Sequence, residues 1–427
     1  MHLCKKKYPA STNKIINLIH NKMFIKYRIL QITGILTLFL QLSCSLENPI
    51  PIPNTSVPPT SDVFYKGTNM AFVSHQETYG NVIFKENGVA KDAFKSIADH
   101  GGNIVRLRID NPPYSSSYTA GYADVDFGSP ENVKLELQRA HNAGLKTLLT
   151  FGYQSMALED DQKQNPFVAP LAWQSIANDV DQLKEAVYNH TTVVLEDYIN
   201  SGLVPAIVSI GNETNQRFLE PNMPESDLPE YSVVRTVKLL NAGTKAVRDL
   251  NTKYGLNIKI ACHIFDASFL KTWLRMHVRN GLDFDILALS HYNAWHSLGD
   301  FSSWTAVVSF VKNTYNKEFL IMETAQLFRN GGNDGHVNIL GAENIPTGYD
   351  NPPTTNTQKE YLKDFAQELY DAGGIGLIYW GGEWVGSNTL IFPDEFGAGS
   401  SWENKAFWDF DYNLHDGINW MNEIVQD

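Results

Sequence analysis

Two apolar runs in this chain end in a glutamate. Ile207-Val208-Ser209-Ile210-Gly211 passes directly into Asn212-Glu213, and Phe319-Leu320-Ile321-Met322 passes into Glu323. Short apolar runs of this kind have the pattern of buried strands, so both carboxylates are expected at strand ends. A single carboxylate in such a place can simply cap the next helix. Two that converge can divide the work on one bond. One protonates a leaving oxygen while the other attacks the carbon it leaves, as glycosidic cleavage requires. Retention demands carboxyl groups about 5 to 5.5 Å apart and an acid that rests protonated. The charge of one carboxylate is expected to supply much of the rise in the pKa of the other.

The residues that could serve this pair are also legible. Arg106 and Arg108 are two apart in the run Ile104 to Ile109, so they share one face of a strand. Charge inside a fold needs a partner, and for an arginine here the expected partner is the Glu323 carboxylate. At least one of the two is expected to serve only a structural ion pair. His291, Tyr292 and Trp295 follow another apolar run, where they could bond the nucleophile or stack on a sugar. Trp380 and Trp384 could form the floor under the cleaved residue.

These residues need a scaffold that brings distant strand ends together. A helix-like stretch ending in Gly and followed by a short apolar run recurs at Gly101-Gly102, Gly144, Gly202, Gly281 and Gly373-Gly374. The runs that follow are Ile104 to Ile109, Thr147 to Phe151, Ala206 to Ile210, Ile286 to Leu289 and Gly376 to Trp380. With Phe64 to Phe72, Ile258 to Cys262 and Phe319 to Met322 there are eight candidate strands, the number in a closed (β/α)8 barrel of the α/β class. A doubly wound open sheet is the alternative, but no Gly-rich phosphate fingerprint follows the first strand. In the barrel, Glu213 and Glu323 fall on strands four and seven, at the C-terminal ends where chemistry belongs.

The formal charge of -13 and pI near 5.4 argue against a nucleic-acid backbone or an anionic membrane face as the main partner. A neutral ligand suits the chain better. Three cysteines, Cys4, Cys44 and Cys262, show neither metal-ligand spacing nor a disulfide framework. From Met23 a basic start, an apolar run and Leu42-Ser43-Cys44 resemble a bacterial lipoprotein signal. Lipidation is then expected at Cys44, and the protein in the cell envelope or at the cell surface. An uncleaved membrane anchor is the alternative, for which the run is short. Residues 1–44 are thus read as extension and signal, 45–62 as a Pro/Ser/Thr-rich tether, and 63–427 as one catalytic barrel domain.

From about Val63 onward the chain resembles glycoside hydrolase family 53, the endo-β-1,4-galactanases. The likeness rests on Asn103-Ile104-Val105-Arg106-Leu107-Arg108, Gly211-Asn212-Glu213-Thr214, Ser290-His291-Tyr292-Asn293-Ala294-Trp295-His296 and Met322-Glu323-Thr324. Tyr379-Trp380, Trp402-Glu403-Asn404-Lys405-Ala406-Phe407 and Asp409-Phe410 complete it. The resemblance implies Glu213 as acid/base, Glu323 as nucleophile and Asn212 as a donor to the sugar 2-hydroxyl. It implies a β-1,4-galactan substrate, such as arabinogalactan side chains of pectin, and no cofactor for the chemistry. It also suggests a structural calcium ion at Asp334, His336 (through its carbonyl), Asn338, Ser400 and Glu403, although Gly332 stands where the first acidic ligand is expected.

Three departures fall where sugar subsites are expected. Gly152-Tyr153-Gln154-Ser155-Met156-Ala157 replaces a His-Tyr-Ser-Asp stretch, Gly381 replaces a carboxylate with Glu383 two residues on, and Leu219 replaces an aromatic. The alternatives are therefore a hydrolase of another β-linked glycan, or a surface glycan-binding lipoprotein without catalysis.

Overall fold

The computed structural model describes residues 63–109, 128–153, 168–215, 217–223, 227–228, 230–387 and 399–425. All of them belong to the compact unit Pro58–Asp427. Cys44 and residues 154–157 lie outside the described residues. Eight parallel strands close into a barrel. They are β1 (Tyr65–Asn69), β2 (Ile104–Ile109), β3 (Lys146–Phe151), β4 (Ile207–Ile210), β5 (Lys259–Phe265), β6 (Ile286–Ser290), β7 (Glu318–Glu323) and β8 (Gly376–Tyr379). Every expected run contributes one. Two ends differ by three residues and the others by one at most: β1 stops at Asn69, and β5 continues past Cys262 to Phe265.

Around the barrel lie α1 (Val73–Tyr79) and α2 (Ala93–Asp99), which follow β1, then α3 (Pro130–Asn142), α4 (Val180–Asn200), α5 (Val233–Tyr254), α6 (Leu270–Arg279), α7 (Trp304–Tyr315) and α8 (Thr355–Asp371). Local chemistry sets their limits. Ser129, Asp179, Ser232, Ser303 and Thr354 each accept a backbone N–H at a helix start. Gly101, Gly144, Gly202, Gly281 and Gly373 all have φ between 77° and 85°, a left-handed turn that ends the preceding helix.

The ring closes between β1 and its neighbours β8 and β2, with Tyr65 opposite Gly376 and Gly67 opposite Ile104. A Cβ at Gly67 would lie 1.8 Å from the Ile104 carbonyl oxygen, so this seam admits only glycine. The floor of the barrel is one apolar layer that draws a side chain from each strand, including Ile104, Leu148, Ile207, Ala261, Leu320 and Ile378. A larger apolar layer fills the space between strands and helices. Above the floor, inward positions turn polar, and there the chemistry-bearing residues collect.

Candidate active site

Alternation along each strand decides what enters the site. On β2, Ile104 belongs to the apolar floor, so Arg106 and Arg108 also point inward. Arg106 is fully buried. Its guanidinium donates to Thr150 Oγ1 of β3 at 3.1 Å, to Glu323 Oε1 of β7 at 2.5 Å and to Asn212 Oδ1 after β4 at 2.6 Å. It also lies 5.3 Å from the ring centroid of Trp380. One side chain thus ties four strands to the nucleophile position. Removing one partner of such a buried pair typically costs about 3–5 kcal/mol. Arg108 lines the cavity and its charge reaches Glu213, so it too faces the site.

Glu323 reaches the cavity through an irregularity. On β7, Leu320 and Met322 both belong to the inner floor, so strict alternation would turn Glu323 outward. Between β6 and β7 the register jumps: Leu289 pairs with Ile321, but Ser290 pairs with Glu323. This bulge at Met322 re-aims the next side chain inward. Tyr292 then donates its hydroxyl to Glu323 Oε2 at 2.9 Å. Burial and the two nearby carboxylates push the Tyr292 phenol well above its ordinary range, so it remains a donor.

Glu213 sits in the left-handed region, at φ 49°. For a non-glycine residue this stores about 1–3 kcal/mol of strain. The conformation is held from both sides. Gly211 before it has φ 78°, and Thr214 donates its backbone N–H to the His263 carbonyl at 2.8 Å. Burial raises the Glu213 pKa to about 7, with the Glu323 charge as the second cause; a bond from Ser290 and the charges of Arg106 and Arg108 pull it back. Burial, more than the neighbouring charge, is therefore what keeps this acid protonated.

His263 was not anticipated, because β5 was expected to end one residue earlier. It lies two beyond Ala261 on the same inner face, which is the signal a longer strand would have exposed. Its Nε2 is 2.8 Å from Ser290 Oγ and its Nδ1 is 3.1 Å from Asn212 Oδ1. Burial first, then the two arginines, drive its pKa far down, so the ring is neutral. Because Arg106 donates to Asn212 Oδ1, the amide is oriented with its carbonyl toward the arginine, which leaves its N–H donors for a ligand.

A cavity of about 400 Å³ opens above these groups, lined by Arg108, Asn212, Glu213, Phe265, Tyr292, Trp295, His296, Glu323, Trp380 and Trp402. Two residues grouped with it from sequence lie elsewhere. His291 is one position out of phase with Tyr292, and its ring packs against Trp304 and Phe365 behind the barrel wall. Trp384 is fully buried against Phe72, Trp380 and Trp402. Their places at the cavity are taken by His296 and Trp402, with the Lys405 ammonium 4.1 Å from the Trp402 ring centroid. Trp295 stands at the rim, 40% exposed.

The departures from the family pattern also find their places. Leu219 is fully buried, so its side chain builds no sugar contact. Tyr153 is likewise buried, bonded to Thr191 Oγ1 at 2.6 Å. Glu383 is fully buried and does not line the cavity. Asn69 donates to its Oε1 at 2.6 Å, and burial pushes its pKa up to about 8.

One oxygen of Glu213 and one of Glu323 lie within 4.8 Å of each other, with a His263 nitrogen equally close. That spacing matches direct attack by the second carboxylate, which needs about 5–5.5 Å, and leaves no room for the water of an inverting site at about 6.5–9.5 Å. Three such groups could also hold a cation. Arg106 and Arg108 already supply two positive charges there, which argues for carboxylates working on a neutral substrate.

The sequence pattern described as glycosyl hydrolase family 53 matches residues 65–421. The chain belongs to this family. It is 33% identical over 362 residues to the arabinogalactan endo-beta-1,4-galactanase of Cellvibrio japonicus, covering 84% of this chain and 89% of that one. With the endo-beta-1,4-galactanase of Bacillus subtilis the identity is 29%, over 82% of this chain and 78% of the other. Among solved structures, the GH53 catalytic domain of Ignisphaera aggregans superposes with a TM-score of 0.71 at 27% identity, covering 88% of this chain and all of that domain. The family 53 chain is a glycosidase. Its chemistry proceeds with retention and needs carboxylates and water, with no cofactor.

The loop after β7 gathers the residues grouped as calcium ligands. Asp334 accepts backbone N–H groups of His336 and Ser400 at 2.9 and 2.6 Å, and Glu403 Oε1 accepts from Asn333 at 2.6 Å. Asn338 turns its amide toward Glu403 at 3.5 Å. Burial first and then the charge of Asp334 raise the Glu403 pKa to about 7. Glu403 Oε2 is buried with no hydrogen-bond partner among the described residues. An oxygen-rich pocket with two opposed carboxylates and one unpartnered oxygen fits a hard cation.

Proposed function

We propose that this chain is an endo-β-1,4-galactanase that cleaves internal bonds of galactan or arabinogalactan by double displacement. Glu213 serves as acid/base and Glu323 as nucleophile. The observation that carries the reading is the pair itself: two carboxylates within 4.8 Å, one paired with Arg106 and Tyr292, the other raised to about 7. In the first step Glu213 protonates the leaving oxygen while Glu323 attacks the anomeric carbon. Once Glu323 is esterified its charge is gone, the Glu213 pKa falls, and Glu213 can take a proton from the incoming water. Asn212 donates to the sugar 2-hydroxyl, and Trp380 supports the ring under attack. The galactan substrate is supported by the names of the Cellvibrio and Bacillus relatives.

Incubation with β-1,4-galactan, arabinogalactan and unrelated β-glucans, mannans and xylans tests the reading. The expected result is a ladder of galacto-oligosaccharides, with the β-anomer released first by NMR. Cleavage of another glycan in place of galactan would favour remodelled subsites. First release of the α-anomer would overturn the assigned roles.

Two further features belong to the proposal. Asp334, His336 through its carbonyl, Asn338, Ser400 and Glu403 would hold a calcium ion that neutralises the repulsion between Asp334 and Glu403 and steadies the loop behind Trp402. The segment ending in Leu42-Ser43-Cys44 would be processed and acylated at Cys44, anchoring the enzyme at the cell envelope.

A further inference from the structure

The cavity has two walls of different character. Around Glu323 stand Arg106 and Tyr292, which donate to its carboxylate, and Trp380, whose ring lies against the Arg106 guanidinium. Beyond Glu213 the wall is a partly exposed aromatic ring, Phe265, at the end of β5. Its ring stacks on His296 with centroids 5.9 Å apart and an interplanar angle of 29°. The exposed ring of Phe269 meets it edge-on at 6.0 Å.

Phe265 is tied to the acid. Asn215, two residues after Glu213, donates from Nδ2 to the Phe265 carbonyl at 2.8 Å and accepts the Phe265 N–H at 3.0 Å. The strand end that carries the ring therefore has a fixed place relative to the segment that carries Glu213. A sugar whose anomeric carbon meets Glu323 must present its leaving oxygen to Glu213. Whatever that oxygen still carries lies beyond Glu213, over Phe265.

We propose that Phe265, backed by His296, is the stacking platform for the first sugar of the leaving group, a neutral hexopyranosyl residue presenting its apolar C–H face. Phe269 extends the platform toward the next sugar. Such a platform rewards a leaving group that is itself a chain, which is what separates an endo-acting enzyme from one that releases small aglycones. The identity of that sugar as galactose rests on the galactanase reading above.

The test compares two substrates that share the glycone and differ in the leaving group: β-1,4-galactotetraose and β-galactobiosyl fluoride. Phe265→Ala and Phe265→Leu, the second keeping apolar volume without a ring, should lower kcat/KM on the tetraose by about tenfold or more, the scale of one stacking contact. The fluoride, with no sugar beyond Glu213, should be cleaved at an unchanged rate. Phe265→Trp should restore cleavage of the tetraose. Parallel losses on both substrates would show that the ring serves the acid or the fold, and no loss on either would show no platform; each overturns the inference. A wild type that cleaves neither substrate overturns the galactan reading, and the inference with it.

Discussion

Glu213 and Glu323 share one cavity, yet the molecule surrounds them in opposite ways. Glu323 is met by cationic and neutral donors: the Arg106 guanidinium at 2.5 Å and the Tyr292 hydroxyl at 2.9 Å. Glu213 lines the cavity beside a neutral imidazole network, on a strained backbone, with Glu323 as its nearest like charge. The first environment favours a carboxylate and the second favours a carboxylic acid. Identical side chains thus take different chemical roles from what strands two, five and six place around them.

Removing either carboxylate should have the largest effect. Glu323→Ala and Glu213→Ala are each expected to lower kcat on galactan by about three orders of magnitude or more, read as reducing ends released. The two losses should then separate. With an aryl galactoside, whose leaving group needs little proton assistance, Glu213→Ala recovers much of its first-step rate and Glu323→Ala does not. Equal recovery would break the contrast between the two sites.

Arg106→Met should come next, with kcat/KM lower by about 10²–10³. Its pH profile is the sharper measurement. Glu213 is active when protonated, so wild-type activity is present below about pH 7 and lost as pH rises through its pKa. The positive charge of Arg106 holds that pKa down, so its loss should move the alkaline limb of kcat/KM upward. A downward move would show that Arg106 does not act on Glu213 as its position requires.

Tyr292→Phe is expected to be the mildest, about tenfold in kcat/KM, because it removes one neutral donor while the Arg106 contact remains. Unchanged activity would mean that Arg106 alone orients Glu323.

Much of this organisation was legible from local pattern. The left-handed glycines that end five helices, the eight apolar runs and the two glutamates at strand ends all follow from the preferences of single residues and short spans. The inward pointing of Arg106 and Arg108 followed from a period of two. His291 and Trp384 were misplaced because residue type suggested a sugar contact, whereas phase and depth, which type does not report, put them against Trp304 and Phe72. His263 and Phe265 were missed when β5 was taken to stop at Cys262. A strand end is set by pairing with its neighbour, here β6 through Phe265 opposite Ser290.

The sequence by itself determined the barrel, the acid and nucleophile candidates, and the strands that carry them, because strand periodicity and helix termination are local properties of the chain. The tertiary structure decided which way Glu323 faces. Alternation from Met322 would have sent it out of the barrel, and only the register jump between β6 and β7, a property of two paired strands, turns it toward Arg106 and within 4.8 Å of Glu213. The protonation of Glu213 was decided there too, since burial is a sum over neighbours that no short span of sequence contains.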